Sequence, residues 1–202
     1  MQTPVFFIVG PVGHGKSTAR EILSQLTHLK GGSCSDVIYG CLARRRNVSV
    51  DTLRQIPKEE LRPTLIALGD FICGSGPKLA EDPADIAFDD AVFRHPSALI
   101  RMLYLNGYNV IDGVRRKAEL EHARAQLDWN GVRSFVVHVH DPRKALIADN
   151  SEDLTEFADL KIVNEGTVEE LEVKLKTWLE ELFGKQQEDG GKAVIDSVDQ
   201  NT

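Results

Sequence analysis

The first apolar run in the chain is Val5-Phe6-Phe7-Ile8-Val9. Five β-branched or aromatic residues without a polar interruption are too short for a buried helix. They predict a strand covered on both faces, over residues 4–9. The period then changes. Ile22, Leu23, Leu26 and Leu29 recur at helical spacing and predict a helix over 17–28, closed by Lys30-Gly31-Gly32-Ser33. Helical spacing also predicts helices over 37–46, 57–72, 96–105, 116–129 and 167–183, the last with Leu171, Leu175, Trp178, Leu179 and Leu182 as its apolar stripe. Short apolar runs predict strands over 108–111, 133–139 and 160–163. Strands that alternate with helices imply a parallel sheet wrapped by helices on both faces. Ligands in such a fold sit outside the carboxyl ends of the strands. The stretch 82–90 is acidic and predicts a loop. From Gly184 onward Gln, Glu, Asp, Gly and Ser dominate, which predicts a domain over 1–184 and a disordered acidic tail over 185–202.

The first strand runs into GPVGHGKST, Gly10 to Thr18, which matches the pattern GxxxxGK[ST] with an apolar strand before it and a helix after it. Glycines allow a tight backbone whose N–H groups point inward at phosphate oxygens. The helix N-terminus adds its positive dipole end. Gly10, Pro11, Val12, Gly13, His14, Gly15, Lys16, Ser17 and Thr18 are therefore the expected nucleotide cradle. Lys16 reaches the β- and γ-phosphates, and the Ser17 hydroxyl ligates magnesium. ATP and Mg2+ are the expected cofactors. His14 stands at a free position of the pattern and reads as a tolerated side chain.

Charge refines this picture. The net charge is −7, but residues 1–151 hold 19 Lys and Arg against 17 Asp and Glu, while residues 152–202 hold 5 against 14. Acidity is a property of the last quarter, so a polyanionic substrate is compatible with the rest. Cys34, Cys41 and Cys73 lack CxxC spacing and read as reduced thiols of a cytoplasmic protein. No stretch is apolar enough to predict a membrane span, so no membrane partner is expected. His138 and His140 share a strand face, with nothing nearby to complete a metal-ligand set.

A second constellation lies in YNVIDGVRR, Tyr108 to Arg116. The strand delivers Asp112 to the same sheet edge as the phosphate loop, where a carboxylate either holds magnesium or orients an acceptor hydroxyl. Arg115 and Arg116 follow at once, and guanidinium forks bind phosphate oxygens with two donors. Lys16, Asp112, Arg115 and Arg116 are thus the expected catalytic set. In LRPTLIALGD, Arg62 and Asp70 are candidates for the acceptor side, with a solvated helix position as the other reading of Arg62. Arg143 is a third acceptor candidate. Asn164 follows the last strand and is placed to flank a nucleotide base, while Thr167 and Glu170 form a capping box.

With these residues in place, the chain resembles the bacteriophage deoxynucleoside monophosphate kinase group of the P-loop kinases, over roughly residues 4–183. The resemblance rests on GPVGHGKST, RPTLIALGD, DGVRRKAELEHA and IVNEGTVEEL. It implies a P-loop nucleoside-monophosphate-kinase-like three-layer α/β sandwich and an ATP-dependent kinase, with Asp112, Arg115 and Arg116 on the acceptor side. Within that group the chain looks like the phage kinases that phosphorylate 5-hydroxymethyluracil in DNA, suggested by its compact length and by GVRR-x-x-EL. Free-nucleotide kinases close an arginine-bearing lid over the phosphates. Here the corresponding stretch, 140–158, has one arginine, Arg143. The expected acceptor is therefore a deoxynucleotide, in phage DNA or free, within the host cytoplasm. The cluster Arg44-Arg45-Arg46 is a candidate for weak contact with the DNA backbone. A third reading is a P-loop ATPase or switch module.

Overall fold

The computed structural model describes residues 2–74, 95–146 and 151–190, with side chains through Gly184. The expected acidic loop over 82–90 and residues 191–202 of the expected tail lie outside these. The chain forms two compact units, residues 1–165 and 166–202.

Five strands form the sheet of the first unit: β1 (Val5–Val9), β2 (Gly31–Ser33), β3 (Val110–Asp112), β4 (Ser134–His140) and β5 (Leu160–Val163). All neighbours are parallel, in the order β2-β3-β1-β4-β5. The described helices of this unit are α1 (Lys16–Thr27), α2 (Cys34–Arg46), α3 (Val50–Arg54), α4 (Lys58–Ile72), α5 (Ala98–Leu105) and α6 (Lys117–Trp129). From β1 to β2 the chain moves one way along the sheet, and from β2 to β3 and on to β4 it moves back. Right-handed crossovers then put α1 on one face and α2–α6 on the other. Side chains of β1 alternate accordingly. Val5, Phe7 and Val9 join the core built with Ile38, Leu68, Leu103 and Leu120, while Phe6 and Ile8 point to the other face. All five are fully buried, as the uninterrupted apolar run predicts.

Strand β2 was not expected. Its sequence, Gly-Gly-Ser, carries no hydrophobic pattern and reads as a helix stop. The structure nonetheless pairs Ser33 with Asp112 on β3. A Cβ on Gly32 would lie 2.5 Å from Cδ1 of Tyr108 and 3.0 Å from Cδ2 of Leu103. The glycine lets the strand pack beneath those two side chains, a tertiary requirement without a periodic signature. Helix α2 also begins earlier than expected, at Cys34, because the Ser33 hydroxyl accepts the Ser35 N–H and caps it.

In the second unit, Thr167 and Glu170 form the expected capping box. The Thr167 N–H donates to Glu170 Oε2 at 3.0 Å and the Glu170 N–H to Thr167 Oγ1 at 3.3 Å. Helix α7 (Val168–Gly190) follows, with Leu171, Leu175 and Leu179 buried. It continues six residues beyond the expected boundary at Gly184. Lys185, Gln186, Gln187 and Glu188 are good helix formers, and composition alone does not mark the end.

Candidate active site

The phosphate loop is shaped by three glycines with positive φ, Gly10 at 133°, Gly13 at 82° and Gly15 at 100°. Two of them are also sterically required. A Cβ on Gly10 would lie 2.1 Å from the Val139 carbonyl oxygen, and one on Gly15 would lie 2.3 Å from Asn164 Nδ2. Helix α1 starts directly after the loop with no side-chain cap, so its first N–H groups remain available to an anion. Lys16 Nζ donates to the Gly10 and Pro11 carbonyl oxygens at 2.7 and 2.6 Å, which holds the ammonium across the loop.

The loop opens into a cavity of about 540 Å³ at the carboxyl end of the sheet. Gly10, Val12, Gly13, Gly15, Lys16, Ser17 and Thr18 line its donor side; Arg62, Asp70, Asp112, Arg115 and Arg116 line the remainder. Register explains the meeting: Asp112 stands opposite Ile8 on β1, two residues before Gly10. Asp112 is 3% exposed. Its Oδ2 pairs with Arg20 Nη1 at 3.4 Å, and its Oδ1 has no hydrogen-bond partner among the described residues. An orphaned, buried carboxylate oxygen is costly unless a ligand or ion completes it. Asp112 Oδ1 and the Ser17 hydroxyl are hard oxygen donors on one cavity, a set that fits magnesium. No cluster of three or more His, Cys, Asp or Glu side chains suits a metal among the described residues. Magnesium needs none, since it keeps several waters and binds phosphate oxygens.

Sequence patterning missed two groups here. Arg20 lies on α1, one turn past the loop, and supplies the cation for Asp112. Glu119 is 8% exposed on α6 and accepts the Arg115 N–H through Oε2 at 3.0 Å. Burial pushes its carboxyl above the usual carboxylate range, against the opposing effect of that hydrogen bond. Glu119 thereby fixes the turn that presents the two arginines. Arg116 Nη2 donates to Asp70 Oδ1 at 2.5 Å, which joins the end of α4 to that same turn. Arg20 belongs to no spacing pattern, and Glu119, though it is the Glu of GVRR-x-x-EL, carries no role that the spacing alone reveals; the register of β3 against α1 shows the first and the Arg115 N–H bond the second.

Four expected contacts fall elsewhere. Pro11 does not line the cavity, and its carbonyl oxygen accepts from Lys16 Nζ. His14 does not line the cavity; it is fully buried behind the loop, so it is no free position. Its Nδ1 accepts the Asp141 N–H at 2.9 Å, and its ring stacks on His140 with centroids 5.1 Å apart. Burial, with His140 and Lys16 nearby, lowers its pKa below the ordinary histidine value. Asn164 does not reach the cavity either. Its Nδ2 donates to the His14 carbonyl oxygen at 3.0 Å and its backbone N–H to the His140 carbonyl oxygen at 2.7 Å. Arg143 is bound to Asp141 by Nε at 2.9 Å and Nη2 at 3.0 Å. Those bonds hold the Asp141 carboxyl at about 2. The other strand-face histidine, His138, meets Thr155 Oγ1 at 3.1 Å.

A five-stranded parallel sheet of order 2-3-1-4-5, with a phosphate loop between β1 and α1, decides the architecture. It is a P-loop, nucleoside-monophosphate-kinase-like α/β sandwich. Among solved structures, the chain is similar to a shikimate kinase from Aquifex aeolicus, at 15% identity and a TM-score of 0.46, over 90% of this chain and 97% of that one. It is similar to the APS kinase of Mycobacterium tuberculosis at 14% identity and a TM-score of 0.41, over 89% and 98%. It is also similar to a sugar kinase from Janibacter at 12% identity and a TM-score of 0.44, over 89% and 95%. No protein-family model matches the chain, and no curated protein does.

Proposed function

We propose that this chain is an ATP-dependent phosphotransferase that phosphorylates the hydroxymethyl group of 5-hydroxymethyl-deoxyuridine in phage DNA. The observation that carries the reading is the single cavity that combines the phosphate loop with Asp112, Arg115 and Arg116. Phosphoryl transfer needs positioning and charge neutralisation more than covalent chemistry, and these residues supply both. The loop N–H groups and Lys16 bind the triphosphate. Arg115 and Arg116 offset charge on the transferring group, and Asp112 orients the acceptor hydroxyl or holds the metal through water. Magnesium would be held by Ser17 and Asp112 and would supply further charge neutralisation on the phosphates.

Two observations bear on the acceptor. Arg143, the one arginine of 140–158, lies outside the cavity lining, bound to Asp141, which favours a site open enough for a base turned out of a DNA strand. Arg44, Arg45 and Arg46 are exposed at the end of α2, where a DNA backbone can meet them. The enclosing walls of α4 and α6 around Arg62, Asp70 and Arg116 favour a second reading, a free deoxynucleoside monophosphate kinase that yields the diphosphate.

Labelled ATP distinguishes them, offered with hydroxymethyluracil-containing DNA and, separately, with a panel of free monophosphates. We expect label in the DNA. Label confined to free nucleotide would establish the second reading, and phosphate release without transfer would leave an ATPase. Lys16→Ala should lower transfer by roughly 100-fold or more, the loss typical of a donor aimed at transition-state charge. Near-normal turnover in that variant would remove the loop as donor site.

A further inference from the structure

We infer that His14 is a positioning residue for the nucleotide, a bolt that fastens the phosphate loop to the carboxyl ends of β4 and β5. The inference rests on the loop being the ATP site. His14 touches no part of the cavity, and its side chain is fully buried on the opposite side of the loop. Two hydrogen bonds converge on this one residue from two strand ends. Asp141, directly after β4, donates its backbone N–H to Nδ1 at 2.9 Å. Asn164, directly after β5, donates Nδ2 to the backbone oxygen at 3.0 Å. The ring also lies on His140, tilted by 21°. Next to it, Lys144 Nζ donates to the Gly13 carbonyl oxygen.

The first bond fixes the chemistry of the ring. Because Nδ1 accepts, the neutral ring carries its proton on Nε2, which is buried. A protonated ring would turn an N–H toward the Asp141 N–H. The charged groups around it are Lys16 in the loop, His140 on β4, and Asp141, Arg143 and Lys144 beyond β4. Loop N–H groups bind phosphate well only when their directions are set before the ligand arrives. A loop released from β4 must be ordered at the moment of binding, so the cost appears in ATP affinity.

The test uses the full chain and Mg-ATP, with Kd read by calorimetry and KM and kcat in the transfer assay. His14→Asn keeps an acceptor at the position of Nδ1, and wild-type affinity is expected. His14→Gln places its acceptor where Nε2 lies, and His14→Phe keeps the ring but has no acceptor. Both are expected to weaken ATP binding about tenfold, with KM raised and kcat little changed, as for one lost hydrogen bond with a buried partner. Thermal melts confirm that each variant is folded. Equal affinity in wild type, Gln and Phe variants overturns the inference, as does equal loss in the Asn and Phe variants, which would make the ring a packing group only. A wild-type chain that binds no ATP removes the nucleotide reading, and this role with it.

Discussion

Asp112 shows how one residue couples to the whole site. Its position at the end of β3 places it at the cavity, and its Oδ2 pairs with Arg20 on α1, whose side chain is 17% exposed. Removal of that cation leaves a buried carboxylate with less compensation. Arg20→Leu is therefore expected to destabilise the fold by about 1–3 kcal/mol and to reduce transfer as well. Urea unfolding measures the first effect and the labelled-ATP assay the second. Unchanged stability would mean that solvent, not Arg20, satisfies Asp112. Arg116 and Asp70 form a comparable pair, and Glu119 holds the Arg115 N–H just before it. Asp112 and Arg116 are thus each paired with a charge on another element. Asp112, Arg115 and Arg116 are legible in the sequence because they follow an apolar strand. Their partners are not, because a salt bridge across elements has no spacing.

Among the elements, β2 carries the clearest lesson. A strand of Gly-Gly-Ser has no apolar face to detect, yet it forms the edge of the sheet beside Asp112 and starts α2 at the cavity rim. Gly32 is required by the Tyr108 and Leu103 side chains rather than by its own φ. Gly32→Ala should cost about 1–3 kcal/mol, the usual range for overpacking. Tyr108→Ala in the same chain should relieve part of that cost. Urea unfolding of both variants tests it, and additive losses would show that Gly32 and Tyr108 do not meet. The P-loop itself lies at the other extreme. Its pattern was legible because the same backbone path needs glycine at fixed places, Gly10 against Val139 and Gly15 against Asn164. The role of His14 was not legible, since the pattern leaves that position free and only the packed ends of β4 and β5 give it work.

For the whole molecule, the titrating groups set a pH dependence. Burial lowers the pKa of His14, His95 and His138 below the ordinary 6.5. Each is neutral in the folded chain at a pH where the unfolded chain already takes up a proton. Their contribution to stability is present above about pH 6.5 and is lost as pH falls from there through the folded values. Glu119 works the other way, since its raised carboxyl favours the folded state as pH falls toward 4.5. With three such histidines against one raised carboxyl among the described residues, the melting temperature should be lower at about pH 5.5 than at about pH 7.5. A flat profile would show that the histidines titrate normally. Below this range the Asp141 carboxyl, held at about 2, adds a second loss between its ordinary 3.8 and that value.

The parallel α/β architecture, the phosphate loop, and the delivery of Asp112, Arg115 and Arg116 to a strand end can all be read along the chain. These follow from local rules: hydrophobic period, glycine conformation and the chemistry of a helix N-terminus. Long-range packing, in contrast, made β2 a strand, brought Arg20 to Asp112, and set His14 and Asn164 behind the cavity rather than in it. Those outcomes depend on strand register and on which chain segments lie against one another. Both are set by contacts distant in sequence, such as Asn164 on His14, and leave no periodic trace along the chain.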